Sequence, residues 1–281
     1  ALTILYATFY YTTLSYLDGV NQRFMSHTIA NIHYQANSSY ENALNAYTSS
    51  SGTILMASTA AQETEKLRAM RDIDYFIMQD PLVHSVYFYN SDTDRIYTFG
   101  YDLLQSDLDH FFDREIVSIL QDPSLAPATV FPRTVANSCY TTASSEVGTR
   151  LLYTSGGDVV VVNLLLDKVF GSLQSDSTAY KGASTDYLVF FNKEDPIYSN
   201  DPSADFTPND LSALRSSLDK HDWNGSFSVR LEQGRYQISV LDDAESNCQL
   251  VSIIPSSDLV TSFLSYGVLF IVIAALGGIL A

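Results

Sequence analysis

PLVHSVYFYNSDTDRIYTFG, residues 81–100, is the stretch on which the fold turns. Residues 83–89 are β-branched and aromatic, 90–94 are turn formers, and 95–99 return to strand composition, so the segment predicts a β-hairpin. Side chains alternate along a strand, which puts Tyr87 and Tyr89 on one face and Val86 and Phe88 on the other. One face must pack on a helix; the other is free to line a pocket. Further along, YLVFFN at 187–192, KEDP at 193–196 and then Ile197-Tyr198 repeat the pattern.

Working upstream, there is no proline before Pro81 and no glycine between Gly19 and Gly52. Ile29, Ile32, Ala36, Tyr40, Ala43 and Tyr47 follow one another in steps of three and four, the spacing of a single helical face. One helix from the start of the chain past Tyr40 to about Ser49 is predicted, roughly 70 Å long, with SSSG at 49–52 ending it. A second helix is predicted over 61–79, with Leu67, Met70, Ile73 and Ile77 on its apolar face. Asp80-Pro81 stops it, because the residue before proline is pushed out of the α region.

Downstream of the hairpin, the pattern predicts a helix over 106–121, a proline-punctuated loop through Phe131-Pro132-Arg133, and a second hairpin from 151–153 and 158–163. VVVV at 159–162 reads as its buried central strand. A connecting helix over 165–174 and the small residues 182–185 precede the repeat. The repeat then adds a helix over 208–219 and strands near 226–232, 234–241 and 248–254. The fold class is therefore α+β, with two modules in series, a boundary between Asn163 and Asp186, and no sheet running across it.

Charge narrows the function. Lys and Arg total 15 against 32 Asp and Glu, a net charge of −17, which excludes a protein that grips nucleic acid through its phosphates. With 46% hydrophobic residues the chain buries a core. Every charge lies between Asp18 and Asp258. Residues 263–281, FLSYGVLFIVIAALGGILA, match the length of an apolar bilayer span. Residues 1–17, richer in tyrosine, Ser and Thr, read as the outer end of a first span. An acidic region between two spans is expected outside the cytoplasm. Cys139 and Cys248, far apart and in different modules, are not read as a disulfide.

In order and spacing, these segments resemble the double Cache sensor regions of bacterial transmembrane receptors. The hairpin at 81–100, DVVVVNLLLDKVFGSL closing the first module, YLVFFNKEDPIYSND opening the second, and NCQLVSIIPSSDL leading into the apolar tail carry the likeness. FFDREIVSIL, FPRTV, LLYT and VVVVN are similar to sensors joined to AraC-type regulators and to sensor histidine kinases. The resemblance implies two PAS-like Cache modules in series on the long helix, flanked by transmembrane helices. It divides the chain into the end of a first span (1–17), the emergent helix (18–52), a membrane-distal module (53–172), a proximal module (173–258) and a second span (259–281). It further implies a homodimer in the cell membrane, with 18–258 extracytoplasmic, no direct contact of this segment with nucleic acid, and a small-molecule ligand held by the distal module.

No catalytic constellation is visible: the five histidines form no metal-ligand spacing, and G-x-S-x-G, P-loop and G-x-G-x-x-G patterns are missing. No cofactor and no metal is expected. Asp92-Thr93-Asp94 reads as a hairpin turn rather than a calcium loop, and Asp113-Arg114 as a local ion pair. The other class to weigh is a membrane-anchored extracellular enzyme or adhesion protein. What remains is a binding argument: pockets are walled by aromatics, and a guanidinium captures a carboxylate in a bidentate grip. The candidate ligand-binding residues are Tyr87, Tyr89, Arg114, Arg133 and Tyr153. Amino-acid-binding members of the family carry Trp-Tyr soon after the arginine; here Glu115-Ile116 and Thr134-Val135 follow instead.

Overall fold

The computed structural model describes residues 2–57, 63–127, 129–175, 185–200 and 206–257. Among them no helix is long and apolar enough to cross a membrane, and the uncharged run 263–281 lies outside them. The proline-free start forms α1 (Leu2–Thr48), a single helix of 47 residues. Ile29, Ile32, Tyr40 and Ala43, from the spaced face, are buried. Ser49 ends α1 and caps α2 (Ser50–Met56), its hydroxyl accepting from the Gly52 amide.

The chain divides into two compact units: residues 31–171, and residues 1–30 with 172–281. The first holds α2, α3 (Glu63–Ile77), β1 (Val83–Asn90), β2 (Arg95–Gly100), β3 (Leu104–Asp107), α4 (Arg114–Gln121), β4 (Phe131–Ala136), β5 (Ser144–Tyr153), β6 (Val159–Leu165) and α5 (Leu166–Val169). Its antiparallel sheet runs β3-β2-β1-β6-β5-β4, and fully buried Val160 to Val162 lie near its centre. The Val86/Phe88 face packs on α1: the Tyr47 ring meets Phe88 edge-on at 5.5 Å, and its hydroxyl donates to Asp158 at 2.8 Å.

Three local expectations are corrected. In α3 Leu67 is 53% exposed, and Ala69 joins Met70, Ile73 and Ile77 on the buried face. The helix expected over 106–121 is only α4, because residues 104–107 pair with β2 as an edge strand and Asp113 is the N-cap. Phe131-Pro132-Arg133 is not loop but strand β4. An edge strand tolerates proline, whose missing N–H can face away from the ladder, and β4 is the edge beside β5.

The second unit holds the first part of α1 with α6 (Ser172–Ser175), β7 (Asp186–Phe191), β8 (Pro196–Ser199), α7 (Pro208–Lys220), β9 (Gly225–Leu231), β10 (Gly234–Asp243) and β11 (Cys248–Pro255). The connecting helix expected over 165–174 is split into the short α5 and α6 around Gly171. The sheet runs β8-β7-β11-β10-β9, the same path as β2-β1-β6-β5-β4, so the repeat seen in the sequence is a repeat of topology. Among the described residues no strand is shared between the two sheets. One sheet face packs on α7 and the turn after it, with Leu214, Leu218 and Trp223 clustered against Phe190, Ile238 and Ile253.

On the opposite face Tyr187, Ser252, Ser239 and Ser226 stand side by side on β7, β11, β10 and β9. α1 crosses this row. Phe24 meets the Tyr187 ring at 5.6 Å, Asn21 donates to Ser252 at 2.9 Å, and Asp18 accepts from Ser239 at 2.9 Å and also from Ser226. Three helical residues rise about 4.5 Å, close to the roughly 4.8 Å between strands, so steps of three along α1 meet successive strands.

Candidate functional site

In the unit of residues 31–171, the sheet face opposite α1 carries polar residues where a core would be apolar. Ser85 on β1, Asn163 on β6, Thr149 on β5 and Phe131 on β4 are direct cross-strand neighbours. The three polar members are buried, so they must satisfy one another or be satisfied from above the sheet. Arg133, two residues beyond Phe131 on β4, does both. Its Nε donates to Thr149 Oγ1 at 2.7 Å, one terminal nitrogen donates to Asn163 Oδ1 at 3.0 Å, and the other donates to Asp113 Oδ1 at 2.8 Å.

Asp113 closes the arrangement into a ring. Its second oxygen accepts from the Tyr87 hydroxyl at 3.1 Å; Tyr87 in turn lies 3.5 Å from Ser85 Oγ, which accepts from Asn163 at 2.9 Å. The same carboxylate accepts from the Ile116 amide at the start of α4. The Arg133 and Asp113 side chains are 3% and 6% exposed, a fully enclosed ion pair, with Glu115 at 3.8 Å as an outer partner. Phe111 covers the Tyr87 ring edge-on at 5.2 Å. Burial, and then the Asp113 charge, push the Tyr87 phenol far above its ordinary range, so it stays a hydrogen-bond donor.

Beside the ring lies a cleft of about 210 Å³, counting its solvent-open mouth. Ser85, Tyr87 and Thr98 form its sheet side; Tyr101, Asp102 and Phe112 come from the loops, and His84, Ala136 and Asn137 complete it. Gly100 makes this geometry possible. Its φ is +123°, and a Cβ there would sit 2.6 Å from the His84 carbonyl oxygen, so only glycine turns the chain from β2 into Tyr101 and Asp102. The Gly100 amide donates to Asp74 of α3 at 2.9 Å, which anchors the turn.

His84 bridges ring and cleft. Its Nδ1 is 2.9 Å from Ser85 Oγ, its Nε2 is 3.3 Å from Asn137 Oδ1, and its ring packs 4.9 Å from Tyr101. Asn137 Oδ1, which also takes the Ser145 hydroxyl, presents an acceptor to Nε2. Burial holds the imidazole below its usual range, and nearby Arg133 lowers it further. The Ser–His contact is not that of a hydrolase dyad: Nε2 meets an amide oxygen rather than an orienting carboxylate.

Of the five residues singled out from the sequence, the structure brings Tyr87 and Arg133 together, with Tyr87 lining the cleft and Arg133 behind it in the ring. Tyr89 donates to Asp94 in the hairpin turn at 3.0 Å, and burial with that carboxylate raises its phenol to about 12. Arg114 is exposed as the first residue of α4. Tyr153 ends β5 and is 53% exposed. The expected Asp113-Arg114 pair is replaced by Asp113–Arg133, because Asp113 precedes the helix and turns its side chain inward. Sequence reasoning missed Ser85, His84, Asp102, Thr149 and Asn163. A signal existed for two of them: Ser85 and Asn163 are polar interruptions of the apolar runs VHSVYFY and VVVVNLL.

Neither a protein-family model nor a curated protein sequence matches this chain. Solved structures do match it. The sensory domain of the Campylobacter jejuni chemoreceptor Tlp3 with isoleucine bound is similar at 13% identity and a TM-score of 0.57, over 91% of this chain and 97% of that one. The extracellular domain of the putative histidine kinase vpHK1S-Z8 is similar at 12% identity and a TM-score of 0.57, over 85% and 96%. A domain of a putative sensory box/GGDEF family protein from Vibrio parahaemolyticus is similar at 13% identity and a TM-score of 0.54, over 83% and 94%. The chain therefore has the α+β, PAS-like fold of Cache-type sensory domains.

Proposed function

We propose that this chain is the extracytoplasmic, ligand-sensing input region of a bacterial transmembrane signalling protein, built of two Cache modules in series and working as a homodimer. The observation that carries the reading is the buried polar ring beside an open, aromatic-walled cleft in residues 31–171, set in a fold that ligand-binding sensory domains share. Tyr87 contacts the ligand, and Arg133 holds Tyr87 and Asp113 in place. Residues 18–258 lie outside the membrane and 263–281 cross it. Ligand binding favours one of two pre-existing packings, and the change passes through the second unit to a cytoplasmic output, an AraC-type regulator or a histidine kinase. This segment performs no catalysis.

Topology is tested with the chain's own cysteines, because Cys139 is exposed and Cys248 is buried. A membrane-impermeant maleimide added to intact cells should label the native protein and fail to label Cys139→Ser. Labelling that requires permeabilised cells would place the region in the cytoplasm and end this reading.

A further inference from the structure

The cleft also carries information about the charge of its ligand. An α-carboxylate is ordinarily met by a guanidinium, but here Arg133 gives Nε and both terminal nitrogens to Thr149, Asp113 and Asn163, and it is not among the residues lining the cleft. No other arginine and no lysine lines it. The acidic residue of the lining is Asp102. Its Oδ1 accepts from Ser138 Oγ at 2.9 Å and its Oδ2 from the Cys139 amide at 2.6 Å. The Cys139 thiol bonds to the same carboxylate. A carboxylate offers about four acceptor positions, so room for one further donor remains. Tyr87, Tyr101 and Phe112 supply aromatic walls, whose faces attract cations. The net charge of −17 adds a long-range field of the same preference.

From this geometry we infer that the cleft takes a small organic cation, an ammonium compound with no need of a carboxylate, held between Asp102 and the ring of Tyr101. The inference rests on the sensing function proposed above and names the ligand class of that same cleft.

Calorimetric titration of the intact chain tests it with four kinds of probe: the cations choline and ethanolamine, the zwitterions glycine betaine and isoleucine, the anion acetate, and 3,3-dimethylbutan-1-ol, the neutral isostere of choline. Binding is expected for a cation and not for the neutral isostere or the carboxylates. Tyr101→Ala, at a residue 55% exposed, should keep the fold and weaken that binding roughly tenfold. Asp102→Asn should abolish it, with circular dichroism confirming that the variant is folded. Carboxylates or the neutral isostere binding as well as the cations would overturn the cation assignment and leave the sensing function standing. Binding of none of the probes would overturn the cation assignment, and a wider panel of uncharged and anionic metabolites that also failed to bind would then count against ligand sensing itself.

Discussion

Arg133 and Asp113 form an enclosed ion pair, two charges with almost no solvent around them. Desolvating each costs several kcal/mol, so their mutual attraction and the surrounding hydrogen bonds must offset that cost. Removing one partner strands the other. Arg133→Ala and Asp113→Ala should each cost about 3–5 kcal/mol of unfolding free energy, and the double variant should cost much less than their sum. Chemical denaturation of the four proteins measures this, and additive single effects would show that the pair is not coupled. His84 makes a prediction in pH. Its folded value lies below the ordinary 6.5, so the unfolded chain takes up its proton first as pH falls. The stability that neutral His84 contributes is complete above about 6.5 and is lost as pH falls from there through the folded value. His84→Gln should flatten the melting temperature against pH across that window; an unchanged slope would acquit the imidazole.

Among the elements, α7 shows how local chemistry fixes an end point. Thr207 and Asp210 form a reciprocal cap: the Asp210 amide donates to Thr207 Oγ1 at 3.1 Å, and the Thr207 amide donates back to the Asp210 carboxylate at 3.2 Å. The same carboxylate accepts from the Glu232 amide at 2.8 Å, which ties the turn between β9 and β10 to the helix start. Bonds from that amide and from Thr207 hold the Asp210 carboxyl below its usual range. Asp210→Ala removes a cap and leaves a backbone amide without its partner, so a loss of about 1–3 kcal/mol is expected. The wild-type advantage should be full above the unfolded carboxyl value, about 3.8, and fade as pH falls through the lower folded value. Urea titrations of both proteins at neutral pH and near pH 3 decide it.

At the scale of the whole molecule, the unit that begins at Ser172 is completed by the start of the chain. Asp18, Asn21 and Phe24 cover the serine row of its sheet, and Met25 is fully buried. A fragment of residues 172–257 would expose that face to water and leave Ser239 and Ser252 without these partners. It should show no cooperative melt alone and regain one when residues 1–30 are supplied through a flexible linker. A fragment that melts cooperatively without them would show that the helix only rests on the sheet. Residues 31–171 carry their own sheet and enclosed ion pair.

Local pattern determined much of this molecule. The absence of proline and the three-and-four spacing specify α1, because helix formation depends on neighbours within a turn or two. Alternation and turn residues specify the β1–β2 hairpin for the same reason, and its echo at β7–β8 reveals the repeated module. Tyr87 and Arg133 stood out in the sequence as candidates for ligand binding. What each does was not legible there. Arg133 meets Asp113, Thr149 and Asn163 only because β4, β5 and β6 lie side by side, and Asp113 arrives from a loop above the sheet. Those residues are 16 to 30 positions from Arg133 in sequence, so no periodicity links them. Strand order and register, properties of the assembled sheet, decided that the arginine is spent inside the protein and that Asp102 faces the cleft.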